Sequence, residues 1–215
     1  MWVHRCYARL YLWAARRLYH ELAFLYDPVS WLVSRGRWTG WRRLALDYVR
    51  GSRVLEVGFG TGELLIDMAG RGVDVCGLEA SGAMHTLTAR KLRQRGLSVG
   101  RVRGEVQALP FASGCFDSIV STFPAEYIVD AKALREIARV LRGADAATAG
   151  RLVVAGVVVY PARHEAVAPP ALGPAQNAAL ERLITMLEAA GFWVAMSSRY
   201  DHGARVPVVI AERCR

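Results

Sequence analysis

The sequence is short of cysteine, of long apolar runs and of acidic residues, and each shortage argues against a class of protein. Its four cysteines lie far apart and form no CxxC pair, so neither a zinc knuckle nor a disulfide framework is predicted. The longest apolar run, at residues 152–160, is too short to cross a bilayer, and arginines interrupt the first 20 residues before a signal core can form. We therefore expect a cytoplasmic protein without a bound metal.

Acidic residues are scarcest at the N-terminus. The whole chain carries 28 Lys and Arg against 19 Asp and Glu, which gives a formal net charge of +9. Residues 1–50 hold nine arginines against only Glu21, Asp27 and Asp47, so +6 of that charge lies in the first fifty residues. Such a basic segment attracts anions in general, whether nucleic acid, anionic lipid or an acidic metabolite, and it does not define the fold.

From residue 53 onward, β-rich runs alternate with segments of helical periodicity, without repeats or low-complexity tracts. This alternation is typical of βαβ units in a parallel sheet, so an α/β fold is predicted. The six or seven predicted strands are residues 53–57, 74–79, 98–104, 116–122, 151–159, 192–199 and 205–212. The last two are joined only by residues 200–204, too few for a helical crossover, and are expected to pair as an antiparallel hairpin.

Two helices between these strands are well marked. Residues 131–141 place apolar side chains on one face, Asp130 can cap the first turn, and Gly143 follows the end. Leucines spaced three or four residues apart mark a second helix, which is predicted to begin near Pro174 and to stop at Gly191.

The first 25 residues follow the period of an amphipathic helix with a basic face. Its apolar residues recur every three or four positions, at Tyr7, Tyr11, Ala14, Leu18, Leu22 and Leu25. The helix either packs on the sheet domain with its arginines in solvent or lies at a membrane surface. Asp27-Pro28 is expected to end it, since a residue before proline disfavours helical geometry. We therefore divide the chain into an N-terminal helical cap, residues 1–50, and a sheet domain, residues 51–215.

The most specific motif is VLEVGFGTG at residues 54–62, an apolar strand that runs into a glycine-rich turn and a helix starting near Glu63. Gly58, Gly60 and Gly62 lack Cβ atoms, so the turn can adopt unusual dihedrals and a ligand can lie against its amides. Open α/β sheets bind ligands at the carboxyl ends of their strands, where the strand order reverses. A ligand site is therefore predicted at the end of the first strand.

A carboxylate follows at the end of the next predicted strand. Glu79 lies 21 residues beyond Gly58, where it can accept hydrogen bonds from both hydroxyls of a ribose. Nucleotide oxidoreductases share this geometry, but their GxGxxG pattern requires glycine where this chain has Glu63. A carboxylate there would repel a pyrophosphate but not a cationic sulfonium ligand. The residues thus predict a nucleoside site and disfavour NAD.

These residues resemble the class I S-adenosylmethionine-dependent methyltransferases, and the resemblance covers nearly the whole chain. The family's first motif, ExGxGxG, is matched by residues 56–62. Further matches, in the family's order, are Glu79, residues 104–111 (GEVQALPF), 116–121 (FDSIVS) and 134–142 (LREIARVLR), and the C-terminal hairpin. The resemblance implies a Rossmann-like, mostly parallel seven-stranded sheet in the order 3-2-1-4-5-7-6, with S-adenosylmethionine as cofactor and S-adenosylhomocysteine as its product.

The resemblance also assigns roles at the predicted strand ends. Glu56 would help to hold the cofactor's amino group; the alternative is a half-buried strand residue with a local partner. Glu105-Val106, beside the adenine, stands where the family usually has Asp-Ala, so adenine contacts are less well defined than the glycine turn. The residues expected to bind the cofactor are Glu56, Gly58, Phe59, Gly60, Thr61, Gly62, Glu79, Ala80, Glu105, Val106, Thr122 and Phe123.

The acceptor side is marked less clearly. Methyl transfer from a sulfonium is an in-line displacement, in which alignment can supply much of the catalysis and a general base is optional. The candidate bases near the predicted mouth are His20, Tyr26, Asp27, Glu126, Tyr127 and His164. Residues 123–127 (FPAEY) only echo the Asn/Asp-Pro-Pro-Tyr/Phe motif of enzymes that methylate nucleic acid bases, so nucleic acid is disfavoured as a partner.

The N-terminal segment narrows the substrate class. Its residues that resemble the ubiquinone and menaquinone C-methyltransferases are Tyr26-Asp27, Ser34, Gly36 and Trp41-Arg42-Arg43. That resemblance implies a small hydrophobic acceptor, quinone-like or lipid-like, and peripheral contact of the basic N-terminal helix with the inner membrane surface. Two alternatives stay open: a phospholipid N-methyltransferase, and a catalytically silent module that only binds S-adenosylmethionine.

Overall fold

Seven strands form the centre of the computed structural model, which describes residues 23–143, 149–157, 174–201 and 204–214. In chain order they are β1 (Arg53–Val57), β2 (Asp74–Glu79), β3 (Gly100–Arg103), β4 (Ser118–Thr122), β5 (Arg151–Ala155), β6 (Phe192–Asp201) and β7 (Ala204–Arg213). Across the sheet their order is 3-2-1-4-5-7-6. The first five strands pair in parallel, whereas β7 pairs antiparallel with both β5 and β6. The expected Rossmann-like sheet and its C-terminal hairpin are therefore confirmed.

Helices connect the strands and flank the sheet. They are α1 (Ala23–Ser34), α2 (Trp38–Arg43), α3 (Glu63–Gly70), α4 (Gly82–Gln94), α5 (Ala131–Val140) and α6 (Pro174–Ala189), with short 3-10 helices at Leu44–Tyr48, Val106–Ala108 and Glu126–Val129. Asp130 caps α5 as predicted, accepting a hydrogen bond from the Lys132 amide at 2.7 Å. Within the described ranges, no helix combines the length and the hydropathy needed to cross a membrane.

Two inner strands are shorter than predicted at their starts. β3 begins at Gly100 rather than at residue 98. β4 begins at Ser118, because Phe116 forms only an isolated bridge with Leu141. Both differences concern the starts of the strands. Their carboxyl ends, where a ligand site is expected, lie close to the predicted positions.

The strands near the C-terminus also differ in length from the prediction. β5 ends at Ala155, since Gly156 takes a φ of +77° and leaves the extended region. Residues 158 and 159, the end of the predicted strand, lie outside the described part of the chain. The hairpin strands reach Asp201 and restart at Ala204, so they are longer than predicted and their link is shorter.

The expectation that Asp27-Pro28 ends the N-terminal helix is wrong, because α1 continues through Pro28 to Ser34. The extended preference of a residue before proline is local, and tertiary contacts outweigh it here. Asp27 is held in the helix by hydrogen bonds from Thr61 at 2.7 Å and from Lys91 at 2.5 Å. The predicted amphipathic helix lies outside the described residues up to position 22, and the domain boundary at residue 50 stays a prediction.

Apolar side chains cover both faces of the sheet, following the alternation of residues along each strand. In β1, Leu55 and Val57 pack in the layer of α5 and α6, whereas Val54 packs in the layer of α3. Glu56 lies on the same face as Val54 and puts a carboxylate into this apolar stretch. It is only 2% exposed. Because Val57 pairs with Leu78, the residues that follow β1 lie beside the end of β2.

Candidate functional site

The glycine-rich turn after β1 requires glycine for its backbone conformation. Gly58, Gly60 and Gly62 have φ angles of +72°, +52° and +76°, which residues with a Cβ rarely adopt. A Cβ at Gly58 would lie 2.6 Å from the Tyr127 hydroxyl, and one at Gly62 would collide with Thr88. Two of the three glycines are thus also needed for close packing against neighbouring side chains.

Glu79, at the carboxyl end of β2, binds this turn directly. Its Oε2 accepts a hydrogen bond from the Gly60 amide at 3.0 Å, and its Oε1 accepts one from the Ser81 amide at 2.8 Å. A carboxylate has about four acceptor positions, so it can accept ribose hydroxyls as well. Glu79 lines a cavity of about 300 Å³, and Glu105 and Val106 line the same cavity. The structure therefore brings the expected nucleoside-binding residues, Ala80 included, around one space.

Glu56 is buried, and within the described part of the chain its Oε2 has no hydrogen-bonding partner. Burial raises the pKa of its carboxyl to about 8; the Arg42 guanidinium opposes the rise, and the charges of Glu79 and Asp67 add to it. An unpaired polar atom in the interior is costly unless a ligand satisfies it. Glu56 lines a small cavity of about 60 Å³ beside Gly60, where a cationic amino group would supply the missing partner.

Four aromatic side chains line the small cavity around Glu56 together with Thr122: Tyr26, Trp38, Phe59 and Phe123. Phe123, directly after β4, lies edge-on to Trp38 with ring centroids 4.9 Å apart, and Tyr26 lies 6.4 Å from Trp38. Phe123 has a φ of +50°, and its ring fills the space that a Cβ would need at Gly156. Trp38 was not among the residues expected at this cavity, since it belongs to no strand-end motif.

Tyr127, an expected candidate base, contacts the site but is fixed in place. Its hydroxyl lies 3.1 Å from the Val57 carbonyl oxygen and 2.7 Å from Ser121 Oγ. Burial raises its pKa above the ordinary range of tyrosine, so the phenol stays protonated and is a poor base. Glu126 is exposed and lines a different cavity, of about 520 Å³, beside Arg182.

The other candidate bases are not gathered at one point. Asp27 uses both carboxylate oxygens, accepting hydrogen bonds from Thr61 Oγ1 and Lys91 Nζ. Of the candidates that the structure describes, only Tyr26 lines the small cavity around Glu56. His20 and His164 lie outside the described residues.

The loop that carries Glu105 and Val106 is held by α5. The Leu109 amide donates to Glu136 Oε2 at 2.9 Å, and the Arg139 guanidinium donates to the Leu109 and Phe111 carbonyl oxygens at 2.8 Å each. Arg139 also pairs with Glu136, and its hydrogen bond lowers the pKa of the Glu136 carboxyl. The segment 134–142 thus positions the cavity wall, a role that sequence reasoning did not assign to its charged residues.

Comparison with known proteins identifies relatives of this chain. Residues 54–144 match the protein family described as Methyltransferase domain. The chain is 36% identical over 143 residues to a demethylmenaquinone methyltransferase from Thermus thermophilus, covering 64% of this chain and 63% of that protein. It is 34% identical over 146 residues to the ubiquinone/menaquinone biosynthesis C-methyltransferase UbiE from Serratia proteamaculans, covering 64% and 56%. The matches thus span less than two thirds of the length of either relative.

A solved structure also has a similar fold. A SAM-dependent methyltransferase from Aquifex aeolicus is similar with a TM-score of 0.60 at 20% identity, over 82% of this chain and 92% of that one. At that identity the likeness concerns the fold alone, whereas the sequence matches concern the family. The glycine turn and both buried carboxylates, Glu56 and Glu79, fall inside the matched range 54–144. Residues 54–144 therefore match a methyltransferase domain, within a chain that is similar to quinone methyltransferases over part of their length.

Proposed function

We propose that the protein transfers the methyl group of S-adenosylmethionine to a small hydrophobic acceptor of the quinone type. The observation that carries the proposal is a pair of buried carboxylates beside one glycine turn. Glu79 is bound to Gly60 at 3.0 Å in the position of a ribose acceptor, and Glu56 has an unpartnered Oε2 within the described residues. S-adenosylmethionine carries a ribose and an ammonium group in one molecule, so it satisfies both.

The residues around the turn fit this cofactor. Glu105 and Val106 would line the adenine, Glu79 and Ala80 would hold the ribose, and Glu56 would bind the amino group. The remaining residues proposed to contact it line the two cavities, namely Gly58, Phe59, Gly60, Thr61, Thr122 and Phe123. Gly62 is proposed with them as the last residue of the turn, although it lines neither cavity. When bound, the cofactor supplies an activated methyl group on its sulfonium.

The protein's own contribution would be alignment and the exclusion of water. Tyr26, Trp38 and Phe123 cover the methionine side with aromatic rings, which limits the access of solvent and the freedom of the reactants. Apart from Glu56, which the amino group would occupy, no strong base of the described residues lines this cavity. Asp27 and Glu63 line the adjoining cavity, but Lys91 donates to both carboxylates, so the reaction is proposed to depend on alignment more than on a general base.

A second cavity, of about 320 Å³, is the proposed acceptor site. It shares Trp38 and Arg42 with the small cavity, and Trp31 adds a further aromatic wall. Aromatic walls bind a flat apolar ring, and a guanidinium pairs with its oxygen atoms. Similarity to two quinone methyltransferases supports this acceptor class over a phospholipid amine and over a silent binding module.

Methyl-labelled S-adenosylmethionine tests the proposal with a panel of acceptors. We expect label in demethylmenaquinol or a related quinol, with one S-adenosylhomocysteine formed per methyl transferred. Label in phosphatidylethanolamine would establish the phospholipid alternative instead. Tight cofactor binding without turnover on the whole panel would identify a binding module.

We also propose that α1 contacts an anionic membrane. Its exposed apolar side chains are Leu25, Val29, Trp31 and Leu32, of which Trp31 and Leu32 are 66% and 71% exposed. Leu25, Val29 and Leu32 are spaced by four and three residues and therefore share one face of the helix. Arg35 follows at its end and is exposed. An apolar row beside a cation is suited to the interface of an anionic bilayer.

Flotation with vesicles containing phosphatidylglycerol tests this contact. We expect the wild type to float with the vesicles, and Trp31→Ser/Leu32→Ser to float several-fold less because the apolar row is broken. Trp193→Ser is the matched control, since Trp193 is likewise exposed, at 60%, but belongs to β6 and not to α1. Absence of flotation by the wild type, with or without residues 1–30, would exclude the contact.

A further inference from the structure

One lysine joins three segments at the base of the glycine turn. Lys91 of α4 donates to Asp27 Oδ2 of α1 at 2.5 Å, to Glu63 Oε1 of α3 at 2.6 Å, and to the Thr61 carbonyl oxygen of the turn at 3.1 Å. We call these four residues the Lys91 cluster. The Lys91 side chain is only 14% exposed, compared with 36% for Asp27 and 28% for Glu63.

The contacts of the Lys91 cluster use all three donors of the Lys91 ammonium group. An ammonium group has three donors, and each has an acceptor here. The second oxygen of Asp27 accepts a hydrogen bond from Thr61 Oγ1 at 2.7 Å, so α1 binds the turn both through Lys91 and directly. Without the ammonium, the carboxylates of Asp27 and Glu63 would lose the cation that binds both, and their repulsion would favour separation of α1 from the turn.

We call the three rings of Tyr26, Trp38 and Phe123 the aromatic cover. The position of α1 sets the position of Tyr26 within it. Tyr26 immediately precedes Asp27, lines the small cavity and lies near Trp38. We infer that Lys91 is a positioning residue. It holds α1 against the glycine turn, so that the turn and the aromatic cover keep the relative positions that cofactor binding requires. The inference deepens the proposed function and rests on it.

A second ion pair of the same region offers a matched control. Arg43, at the end of α2, pairs with Asp67 of α3 at 2.6 Å and likewise joins a helix before the sheet to the sheet domain. Arg43 is 50% exposed, and Asp67 lies four residues beyond Glu63, outside the turn. Exposed pairs of this kind contribute little, so its loss reports the generic effect of breaking a link.

The test compares Lys91→Met, Lys91→Arg, Asp27→Ala and Arg43→Met in the full chain. Calorimetry gives the dissociation constant of S-adenosylmethionine, and hydrogen exchange of residues 23–34 without ligand reports the attachment of α1. We expect Lys91→Met to weaken binding about tenfold or more and to speed that exchange, because it removes a partly buried cation from two carboxylates. Lys91→Arg should keep most of the cofactor affinity and most of the protection of α1 from exchange. Arg43→Met should change neither the affinity nor the exchange rate.

A double variant decides whether Lys91 acts through Asp27. If it does, Asp27→Ala/Lys91→Met weakens binding no more than the stronger single variant, whereas additive losses would overturn the inference. Equal effects of Lys91→Met and Arg43→Met on exchange and affinity would overturn it too. Should Lys91→Met fail to fold, Asp27→Ala carries the same comparison. If the wild type does not bind the cofactor, the proposed function fails, while exchange in the ligand-free variants still decides the role of Lys91.

Discussion

The amide nitrogen of Gly60 donates to Glu79 Oε2 at 3.0 Å, and this bond joins the glycine turn to the end of the neighbouring strand. The carboxylate that would bind the ribose therefore also shapes the surface against which the ligand lies. The site is a single hydrogen-bonded unit, and substitutions on either side of this bond are expected to affect the other.

Glu79→Ala is expected to weaken S-adenosylmethionine binding by about 1 to 3 kcal/mol, because the ribose hydroxyls lose their acceptor. The Gly60 and Ser81 amides lose theirs as well. Glu79→Gln, which keeps one acceptor oxygen, should lose less. Calorimetry on both variants checks the order, and an unchanged dissociation constant for Glu79→Ala would place the ribose elsewhere.

Gly60→Val is expected to abolish cofactor binding, because a branched side chain would stand where the ligand must lie. The φ of +52° at Gly60 also adds backbone strain, so a control for strain is needed. Gly72→Val provides it, since Gly72 has a φ of +76° and a Cβ there would meet nothing within 4 Å. Both variants should lose about 1–2 kcal/mol of stability. Loss of binding in both alike would contradict the placement.

Glu56 should make the stability of the ligand-free protein depend on pH. Its carboxyl pKa is raised from 4.5 to about 8 in the folded state, so the folded protein keeps a proton that the unfolded chain releases. The contribution of Glu56 to stability is therefore greatest below the unfolded value of 4.5 and falls as the pH rises toward about 8. Glu56→Gln should flatten this dependence in thermal unfolding across that window. Wild-type and variant curves of equal slope would show that Glu56 titrates normally.

Cofactor binding should show the opposite trend at the same residue. An ammonium group beside Glu56 favours the ionised carboxylate, so binding should strengthen as the pH rises toward about 8 and should release a proton. Calorimetry in buffers of different ionisation enthalpy measures that proton. Its absence would separate Glu56 from the amino group of the ligand.

Trp38→Ala is expected to lower kcat about tenfold or more, since the ring that packs on Phe123 helps to align the reacting groups. The melting temperature should fall little, because Trp38 is half-buried. Trp193→Ala, at an exposed position of β6, is the control and should leave kcat unchanged. A Trp38 variant with wild-type kcat would show that the aromatic cover does not serve the reaction.

Local patterns in the sequence were sufficient to predict most of the fold. The glycines of the turn, Glu79 at a strand end and the short link before β7 each depend on a few consecutive residues, and the strand order followed from the family resemblance. Features that depend on distant contacts were not predictable. α1 passes through Pro28 because Asp27 is bound by Thr61 and Lys91, which lie 34 and 64 positions along the chain.

The same limit applies to the candidate site. Residues of the glycine turn could be predicted from the sequence, since they all belong to one contiguous motif. Trp38 of α2 and Phe123 after β4 are distant in the chain and meet only in the folded protein, so no spacing rule connects them. The hydrogen bonds of Tyr127 with Val57 and Ser121 likewise became evident only in three dimensions, and they changed a candidate base into a structural residue.

The hydrogen bonds of α5 to the loop at Leu109 and Phe111 lower the entropy cost of ligand binding. Glu136 and Arg139 fix that backbone through contacts that need no ligand. The loop has consequently lost its conformational entropy on folding, and association with a nucleoside does not incur that penalty a second time. Under the proposed function, affinity for the adenine is therefore coupled to the integrity of this helix, so changes in segment 134–142 should shift both together.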